Sequence, residues 1–538
     1  MKQTFLENYW LLICIVLFAA ALRFIALTQI PASLNIDEQA LGYNAYSLMK
    51  TGYDEHGKYF PISLESFGDW KLIGYPLVTI PSIAIFGLND FSIRFPSALA
   101  GVVQVILTYF LVLKLFQKKR VALFAAVFFT VSPWGIYFSR MAFEVNIATM
   151  YFLGGLLAFL HYIQNVKKKL LFLVSCLLLS ATMFTYHSFV IFTPLFCMIL
   201  FSVYWKKLPK NVFFYAGLCI FLVVIILVGK SVYLSSTGKI SSLAIWNDKG
   251  IVHEITDVFR IDGSNDKILG RIFYSKPFAI PYKIGENYLE ALSPSFLFDT
   301  GGSKLVNSLG YFGNFYLLDA ILLIFGCIGI MQVKEKNKVI FVLWFLLGIL
   351  PSAITNDSQS STRLFLLLPL FIIVMSIGAE GIISYAQRNT WVKLFSFCFL
   401  IGYMINILYF FDAYYLHINY QKAQYLHYGF EQAVELSEKY PSDQVVMFGP
   451  ENFPYISFLL YTKYDPAVFR KEVVYYPKNY AAFDEVKSFG KYHFVDYIDY
   501  AHLRPHTLYI DYRGIGTKDM TINFPNGQPV MKYFFKTP

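Results

Sequence analysis

Residues 31–71 read PASLNIDEQALGYNAYSLMKTGYDEHGKYFPISLESFGDWK, and this stretch gathers an unusual number of carboxylates. It directly follows the first long apolar run, residues 9–30, in a chain of which only 15% of the residues are charged. Its acidic residues are Asp37, Glu38, Asp54, Glu55, Glu65 and Asp69. A membrane protein that gathers carboxylates just beyond its first membrane-spanning helix usually uses some of them. We expect the functional site of the protein in this stretch.

The composition excludes an ordinary soluble protein. Of the 538 residues, 56% are hydrophobic and 19% are aromatic, and the mean hydropathy is +0.50. So few charges could not cover the surface of a soluble chain, so we predict a polytopic α-helical membrane protein. The first run, Tyr9 to Ile30, is too long for a cleaved signal peptide and lacks a small-x-small cleavage site. It is predicted to be a retained anchor.

The net charge of +10 does not indicate nucleic-acid binding, because the basic residues cluster in short loops between apolar runs. This is the pattern of loops that face the cytoplasm. All six cysteines lie inside apolar runs, which argues against a disulfide framework and against a metal site built from cysteine.

Eleven apolar runs are long enough to span a membrane, and a twelfth, residues 72–88, is borderline. The eleven are residues 9–30, 95–116, 120–137, 144–163, 169–186, 188–205, 212–234, 314–332, 338–355, 363–383 and 391–411. With eleven spans, Lys2 and all five basic loops fall on the cytoplasmic face, whereas with twelve spans the N-terminus and the five loops fall on opposite faces. The basic residues of these loops are Lys114, Lys118, Lys119 and Arg120; Lys167, Lys168 and Lys169; Lys206, Lys207 and Lys210; Lys334, Lys336 and Lys338; and Arg388 and Lys393. Run 72–88 is also interrupted by glycine and proline, so we predict an interfacial or re-entrant helix there.

This topology predicts a membrane module, residues 1–412, and a small soluble α/β domain, residues 413–538. The outer loops 31–94 and 235–313 and the C-terminal domain then share the extracytoplasmic face, while the N-terminus is cytoplasmic. In the tail, Gln421–Lys439 and Phe453–Tyr461 have helical patterns. Three segments, DQVVMFG, KYHFVDY and TLYIDY, have the pattern of short strands.

Asp37 and Glu38 open a predicted helix, Ile36 to Met49, which ends at Gly52. Asn35 with Glu38 three residues later forms a capping-box pattern, and acids in a first turn also suit the helix dipole. Capping explains Asp37 less completely than Glu38. Adjacent helical positions point about 100° apart, so the two carboxylates are not expected to face one substrate atom equally.

Four further charged residues allow both a structural and a functional interpretation. Lys71, Arg140 and Arg363 lie at predicted membrane edges, where a basic side chain either reaches towards water or binds a lipid phosphate. Glu144 either caps the next helix or supports the site as a second acid. The sequence alone leaves both interpretations open.

Several segments, taken in order, resemble a known superfamily. They are IDEQALGYNA (36–45), WKLIGYPL (70–77), LNDFSIRFPSALAGV (88–102), SPWGIYFSRMAFEVN (132–146) and NYLEALSPSFLFDTGGSKLVNSLGYFGNFY (287–316). Together they look like the protein O-mannosyltransferase and aminoarabinose-transferase superfamily, bacterial type, which are membrane glycosyltransferases of the GT-C fold. The resemblance covers roughly residues 1–390 and is most specific in the Asp-Glu loop, in the R-F-P-S-A-L-A-G stretch that opens the second span, and in the S-R-x-x-x-E turn.

The resemblance implies a sugar donor carried on a polyprenyl phosphate and used on the extracytoplasmic face. Asp37 matches the essential acid of the family, the expected general base, and Glu38 matches its neighbour. Lys71 and Arg363 match positions expected to meet the donor phosphate. Glu144 stands at a position where many members have Asp, and Arg140 fits the same turn. No cofactor is required by the sequence; a divalent metal, which some members bind, is allowed.

A lipid or glycan transporter is the main alternative. Ion-coupled carriers usually bury charged residues near the midplane of the membrane, and few occur inside the predicted spans. A scaffold that uses the tail to bind a partner is a weaker alternative. The expected partners are a polyprenyl-phosphate sugar, membrane lipid, and a lipid-linked, polymer or protein acceptor, whose identity the sequence does not give.

Overall fold

The structure is a computed structural model that describes residues 2–208, 211–235, 244–247, 276–332, 335–477, 483–512 and 520–537. The chain folds into two compact units. The first, here called the spanning unit, comprises residues 1–22, 100–137 and 145–410. The second, the loop-and-tail unit, comprises residues 23–99, 138–144 and 411–538. Most of the predicted outer loop 235–313 before residue 276 lies outside the described residues.

The first part of the chain is helical apart from one short hairpin. Its helices are α1 (Lys2–Phe24), α2 (Ile36–Thr51), α3 (Gly74–Phe86), α4 (Asp90–Phe116), α5 (Lys119–Val131), α6 (Pro133–Arg140), α7 (Glu144–Gln164), α8 (Leu170–Thr185), α9 (His187–Val203) and α10 (Val212–Ser235). The hairpin consists of β1 (Ser63–Ser66) and β2 (Asp69–Leu72).

After the long loop, six helices precede the tail and its sheet. They are α11 (Lys276–Glu290), α12 (Asp319–Ile330), α13 (Glu335–Ala353), α14 (Ser361–Leu364), α15 (Leu368–Ala386) and α16 (Thr390–Phe411). In the tail follow α17 (Ile418–Lys422), α18 (Phe430–Lys439), α19 (Tyr455–Tyr461) and α20 (Pro466–Glu472). The strands there are β3 (Gln444–Phe448), β4 (Val474–Tyr475), β5 (Val486–Phe489), β6 (Tyr492–Val495), β7 (Thr507–Asp511), β8 (Met520–Asn523) and β9 (Pro529–Lys536).

Nine of the eleven predicted apolar runs each overlap one helix, run 120–137 falls on α5 and α6, and run 363–383 falls on α14 and α15. Five helices of the described residues are long and apolar enough to cross a membrane on their own, and the bent pair α5–α6 makes a sixth. The remaining runs form apolar helices of 10–17 residues, so the count of eleven spans stays a prediction. Helix α3 has 13 residues and is about 20 Å long, which is less than the ~30 Å of a hydrocarbon core.

Within the spanning unit, α12 and α15 pack backbone against backbone. A Cβ atom added at Gly326 would clash with the carbonyl of Val374, and one added at Gly378 would clash with the carbonyl of Leu322. Small residues that allow such close approach are the usual device for joining helices in lipid, where the hydrophobic effect does not drive helices together.

The tail forms a seven-stranded mixed sheet in the order β4-β5-β6-β3-β7-β9-β8. Strand β3 runs parallel to both β6 and β7, and the other pairs are antiparallel. The three strands predicted from the sequence are confirmed as β3, β6 and β7, and the second helix is confirmed as α19. The predicted continuous helix over 421–439 is interrupted: α17 ends at Lys422, a 3-10 turn covers Ala423–Tyr425, and α18 begins only at Phe430 after Gly429, which has a left-handed φ of 97°.

The tail and the first loop belong to one unit and pack on each other. Helix α2 contacts α3, α19 and α20. The hydroxyl of Ser457 in α19 donates to Oε1 of Gln39 at 2.5 Å, and that of Tyr43 donates to the carbonyl of Tyr464 at 3.1 Å. The compact unit that holds the tail also includes residues 23–99 and 138–144, and the predicted division of the chain at residue 413 stays a prediction.

Candidate active site

The capping box predicted at the start of α2 is present. The side chain of Asn35 accepts from the backbone N–H of Glu38 at 2.9 Å, and the Glu38 carboxylate accepts from the Asn35 N–H at 3.0 Å. At the other end Gly52 has a left-handed φ of 75°, and its N–H donates to the carbonyl of Leu48. Both ends of α2 are therefore fixed, and the direction in which its first turn projects side chains is fixed with them.

Glu38 also forms a buried ion pair that was not predicted from the sequence. Arg94 of α4 donates from Nε and Nη2 to the two carboxylate oxygens at 3.0 and 3.1 Å. The backbone N–H of Ala142 donates to Oε1 at 2.7 Å. Both side chains are essentially inaccessible to solvent. With four donors on its two oxygens, this carboxylate has little remaining capacity for a substrate proton.

Arg94 extends this network to the segment in front of α2. Its Nη1 donates to the carbonyls of Leu27 and Pro31, and its Nη2 donates to the carbonyl of Ser33. One guanidinium thus holds the turn after α1 and the first residues of the loop together. The signal in the sequence was an arginine near the start of a long apolar run, where a charge is kept only if it is paired.

Asp37, the neighbour of Glu38, has a different environment. Its side chain is 56% exposed, and its Oδ1 lies 2.5 Å from Nζ of Lys71, whose own side chain is only 8% exposed. Lys71 stands on β2, directly after the tight turn of the β1–β2 hairpin. The structure thus brings the predicted base and a predicted cation together, and it presents the carboxylate rather than the ammonium to solvent.

Lys71 is surrounded by acids. Oδ2 of Asp69 lies 3.9 Å from its Nζ, and Glu144 also acts on it electrostatically. Burial alone would lower the pKa of Lys71, but the carboxylates of Asp37, Asp69 and Glu144 outweigh burial and raise this pKa above its ordinary value. The ammonium therefore stays charged throughout the physiological range.

Arg140, which is predicted to meet the donor phosphate, is completely buried in the loop-and-tail unit. Its Nη2 donates to the carbonyls of Ala26 and Ile30, both at 2.9 Å, and its Nε also donates to Ile30. Its guanidinium lies 5.9 and 5.2 Å from the ring centres of Tyr414 and Tyr415. These contacts fasten the turn after α1, so a contact of Arg140 with a phosphate stays a prediction.

Arg363 belongs to the spanning unit, where it closes a short turn. Its Nη1 donates to the carbonyl of Asp357 at 2.8 Å and to Oγ1 of Thr355 at 3.1 Å, and it lies 3.4 Å from Oδ2 of Asp357. Its side chain is mostly buried. The expected contact of Arg363 with a phosphate stays a prediction.

The described residues contain no group of three or more His, Cys, Asp or Glu side chains arranged to hold a metal ion. The carboxylates of Asp37 and Asp69 are instead directed at the ammonium of Lys71.

His427, in the tail, is a second residue that was missed in the sequence. Its ring is close enough to Asp37 for the carboxylate to act on it electrostatically. The two residues are 390 positions apart, and no local pattern connects them.

Comparison with known proteins agrees with this architecture. Residues 74–228, less than a third of the chain, match the family model of dolichyl-phosphate-mannose-protein mannosyltransferases. No curated protein sequence matches the chain.

Two solved structures share the fold. ArnT from Cupriavidus metallidurans, bound to undecaprenyl phosphate, is 12% identical with a TM-score of 0.53, and the match covers 85% of each chain. The archaeal oligosaccharyltransferase AglB from Archaeoglobus fulgidus, in complex with an inhibitory peptide and a dolichol-phosphate, is 11% identical with a TM-score of 0.50. That match covers 85% of this chain but 64% of AglB, so the chain spans less than two thirds of AglB.

At these identities the likeness establishes the fold. The chain therefore has the GT-C fold of ArnT and AglB, and its residues 74–228 are similar to the dolichyl-phosphate-mannose-protein mannosyltransferase family.

Proposed function

We propose that the protein transfers a sugar from a polyprenyl-phosphate donor to a hydroxyl acceptor on the extracytoplasmic face of the membrane, with Asp37 as the general base. The observation that carries this proposal is the contrast between two adjacent carboxylates. Glu38 is buried and bound by Arg94, whereas Asp37 is half exposed and oriented by Lys71. Of the two, only Asp37 has an oxygen, Oδ2, with no hydrogen-bond partner among the described residues, and this oxygen can receive a proton from a substrate.

The chemistry requires one base and little acid assistance. The acceptor oxygen attacks the anomeric carbon and forms the new glycosidic bond, while the bond from that carbon to the phosphate oxygen breaks. The hydroxyl proton passes to Asp37, and the polyprenyl phosphate leaves with the bonding electrons. A phosphate is already a good leaving group, and a single displacement of this kind inverts the configuration of the sugar.

Lys71 connects the base with the leaving group. When Asp37 accepts a proton it loses its charge, so the ammonium beside it, 2.5 Å from Oδ1, is less fully neutralised. At the same moment negative charge grows on the departing phosphate, and a nearby cation stabilises it. We assign Lys71 to this role, and we assign Arg140 and Glu38 to positioning, because their polar atoms are already bound within the protein. A donor-phosphate contact of Arg363 is proposed separately, on the family position that this residue matches.

The orientation and the donor class have separate support. The basic loops between apolar runs favour a cytoplasmic N-terminus, which puts Asp37 and the tail outside. The ArnT and AglB structures were solved with undecaprenyl phosphate and a dolichol-phosphate, and a polyprenyl phosphate is the corresponding carrier proposed for this chain.

The test is release of polyprenyl phosphate by the purified full-length protein in nanodiscs, supplied with synthetic polyprenyl-phosphate mannose, glucose or aminoarabinose and a mixture of hydroxyl acceptors. We expect release with at least one donor, and its loss in Asp37→Asn. The alternative function, lipid or glycan transport, would instead move a labelled donor across proteoliposomes without breaking the bond. Transport without cleavage would refute the proposal.

A further inference from the structure

The segment between the last long helix and the sheet of the tail is bound to the residues that lead into α2. The backbone N–H of Ala32 donates to Oδ1 of Asn419 at 2.9 Å, and Nδ2 of Asn419 donates to the carbonyl of Gln29 at 2.7 Å. Further on, the hydroxyl of Ser33 donates to the carbonyl of His427 at 3.3 Å. The tail is thereby hydrogen-bonded to Ser33, four residues before Asp37.

The backbone at His427 is shaped to hold its ring in one place. Its φ is 53°, in the left-handed region, which His, Asn and Asp tolerate better than other side chains. Its ring stacks on Phe430 with 4.5 Å between centroids. Nδ1 is buried and has no hydrogen-bond partner among the described residues. A buried N–H donor without a partner costs about 1–3 kcal/mol, so a proton on Nδ1 is unfavourable.

The ring is uncharged at neutral pH. Burial lowers the pKa of His427 to about 4, although the nearby carboxylate of Asp37 acts in the opposite direction. A neutral imidazole has one N–H and one lone pair. Nδ1 is buried and has no partner among the described residues, so a proton on Nδ1 would be a donor without an acceptor. The tautomer with its proton on Nε2 avoids this cost, and its Nε2–H can donate to a ligand. The ring does not neutralise Asp37, because it carries no charge.

We propose that His427 is an acceptor-binding residue, whose imidazole N–H donates to an oxygen of the acceptor next to the hydroxyl that Asp37 deprotonates. Three contacts hold its segment against the approach to α2, and its ring lies within the field of Asp37. An uncharged donor fits a neutral oxygen, such as a sugar hydroxyl or an amide carbonyl, and not a carboxylate or phosphate that needs a cation. The tail then takes part in acceptor selection. This inference rests on the proposed glycosyl transfer.

The test compares His427→Phe, which keeps a stacking ring without a donor, with His427→Asn, which keeps an N–H and tolerates the left-handed backbone. His417→Asn is the matched control, since His417 lies in the same segment with a side chain that is half exposed. The probe acceptors are methyl β-glucopyranoside and N-acetylserinamide, with the donor that the wild type accepts. Hydrolysis of that donor by water is measured in parallel.

We expect His427→Phe to raise the acceptor KM about ten-fold, the loss of one hydrogen bond, while kcat, the donor KM and hydrolysis by water stay within about two-fold. His427→Asn should fall between His427→Phe and the wild type, and the control should equal the wild type. A parallel fall in hydrolysis, a change in the donor KM alone, or an unchanged acceptor KM would overturn the proposal.

Calorimetric titration of the probe acceptors into the same proteins separates this inference from the proposed function. If the wild type binds a probe and His427→Phe weakens that binding, the acceptor contact holds even where no donor is cleaved. Equal binding by the two proteins, or no binding of either probe by the wild type, would refute the acceptor contact.

Discussion

Lys71 places its ammonium 2.5 Å from Oδ1 of Asp37, although the two residues lie on different elements, β2 and α2. The cation is the buried partner of this pair and the carboxylate is the exposed one. Exposure of one partner weakens an ion pair, since exposed pairs contribute little to the free energy of unfolding. The exposure of Asp37 therefore does not serve stability. A site that must present an oriented carboxylate to a substrate requires it, because the supporting charge has to be held in place by the protein.

The buried pair of Glu38 and Arg94 predicts a strong effect on stability. Glu38→Gln leaves the guanidinium of Arg94 buried without its countercharge, which costs about 3–5 kcal/mol when one partner of such a pair is removed. We expect the unfolding temperature to fall clearly in a thermal-shift measurement. Glu335→Gln is the control, because that carboxylate is 85% exposed and should change the unfolding temperature little. Equal unfolding temperatures for the two variants would contradict the buried pair.

Arg140 and Arg363 are distinguished by replacing each with lysine, which keeps the charge but loses the planar set of donors. Arg140→Lys should lower the free energy of unfolding by about 2–3 kcal/mol, since three hydrogen bonds to carbonyls are disturbed. Its activity should fall in proportion to the folded fraction. Arg363→Lys should mainly raise the donor KM. If Arg140→Lys instead raises the donor KM at normal stability, Arg140 binds the donor phosphate and the positioning role is wrong.

The buried imidazole of His427 predicts a dependence of stability on pH. Its pKa is lowered to about 4 in the folded protein, against about 6.5 in the unfolded chain. Between these values the unfolded state binds a proton that the folded state does not, so stability falls as pH drops from about 6.5 to about 4 and is unaffected by this group above that window. The loss attributable to His427 should be at most about 3 kcal/mol.

Denaturation curves of the wild type and His427→Asn at pH 7.5, 5.5 and 4.5 measure this difference. The variant should lose less stability on acidification than the wild type. Parallel losses in both proteins would mean that His427 is already protonated, or is exposed, in the folded state.

The sequence predicted features that local chemistry determines. The capping box of Asn35 and Glu38, the end of α2 at Gly52 and the strands of the tail each depend on a few neighbouring residues. Arg94 was missed because the apolar run was taken to begin at residue 95, whereas α4 begins at Asp90. The approach of His427 to Asp37 could not have been predicted, because it depends on how the tail folds back on the first loop.

Replacement of Asp37 by Asn tests the central claim most directly. The side chain is half exposed and its amide is isosteric, so the variant should fold and bind donor nearly as the wild type does. Its rate of polyprenyl phosphate release should fall by about 10²–10⁴, the contribution of a general base. Asp69→Asn, which removes a charge from the same lysine, should lose far less. Release by Asp37→Asn within ten-fold of the wild-type rate would contradict the assignment of the base.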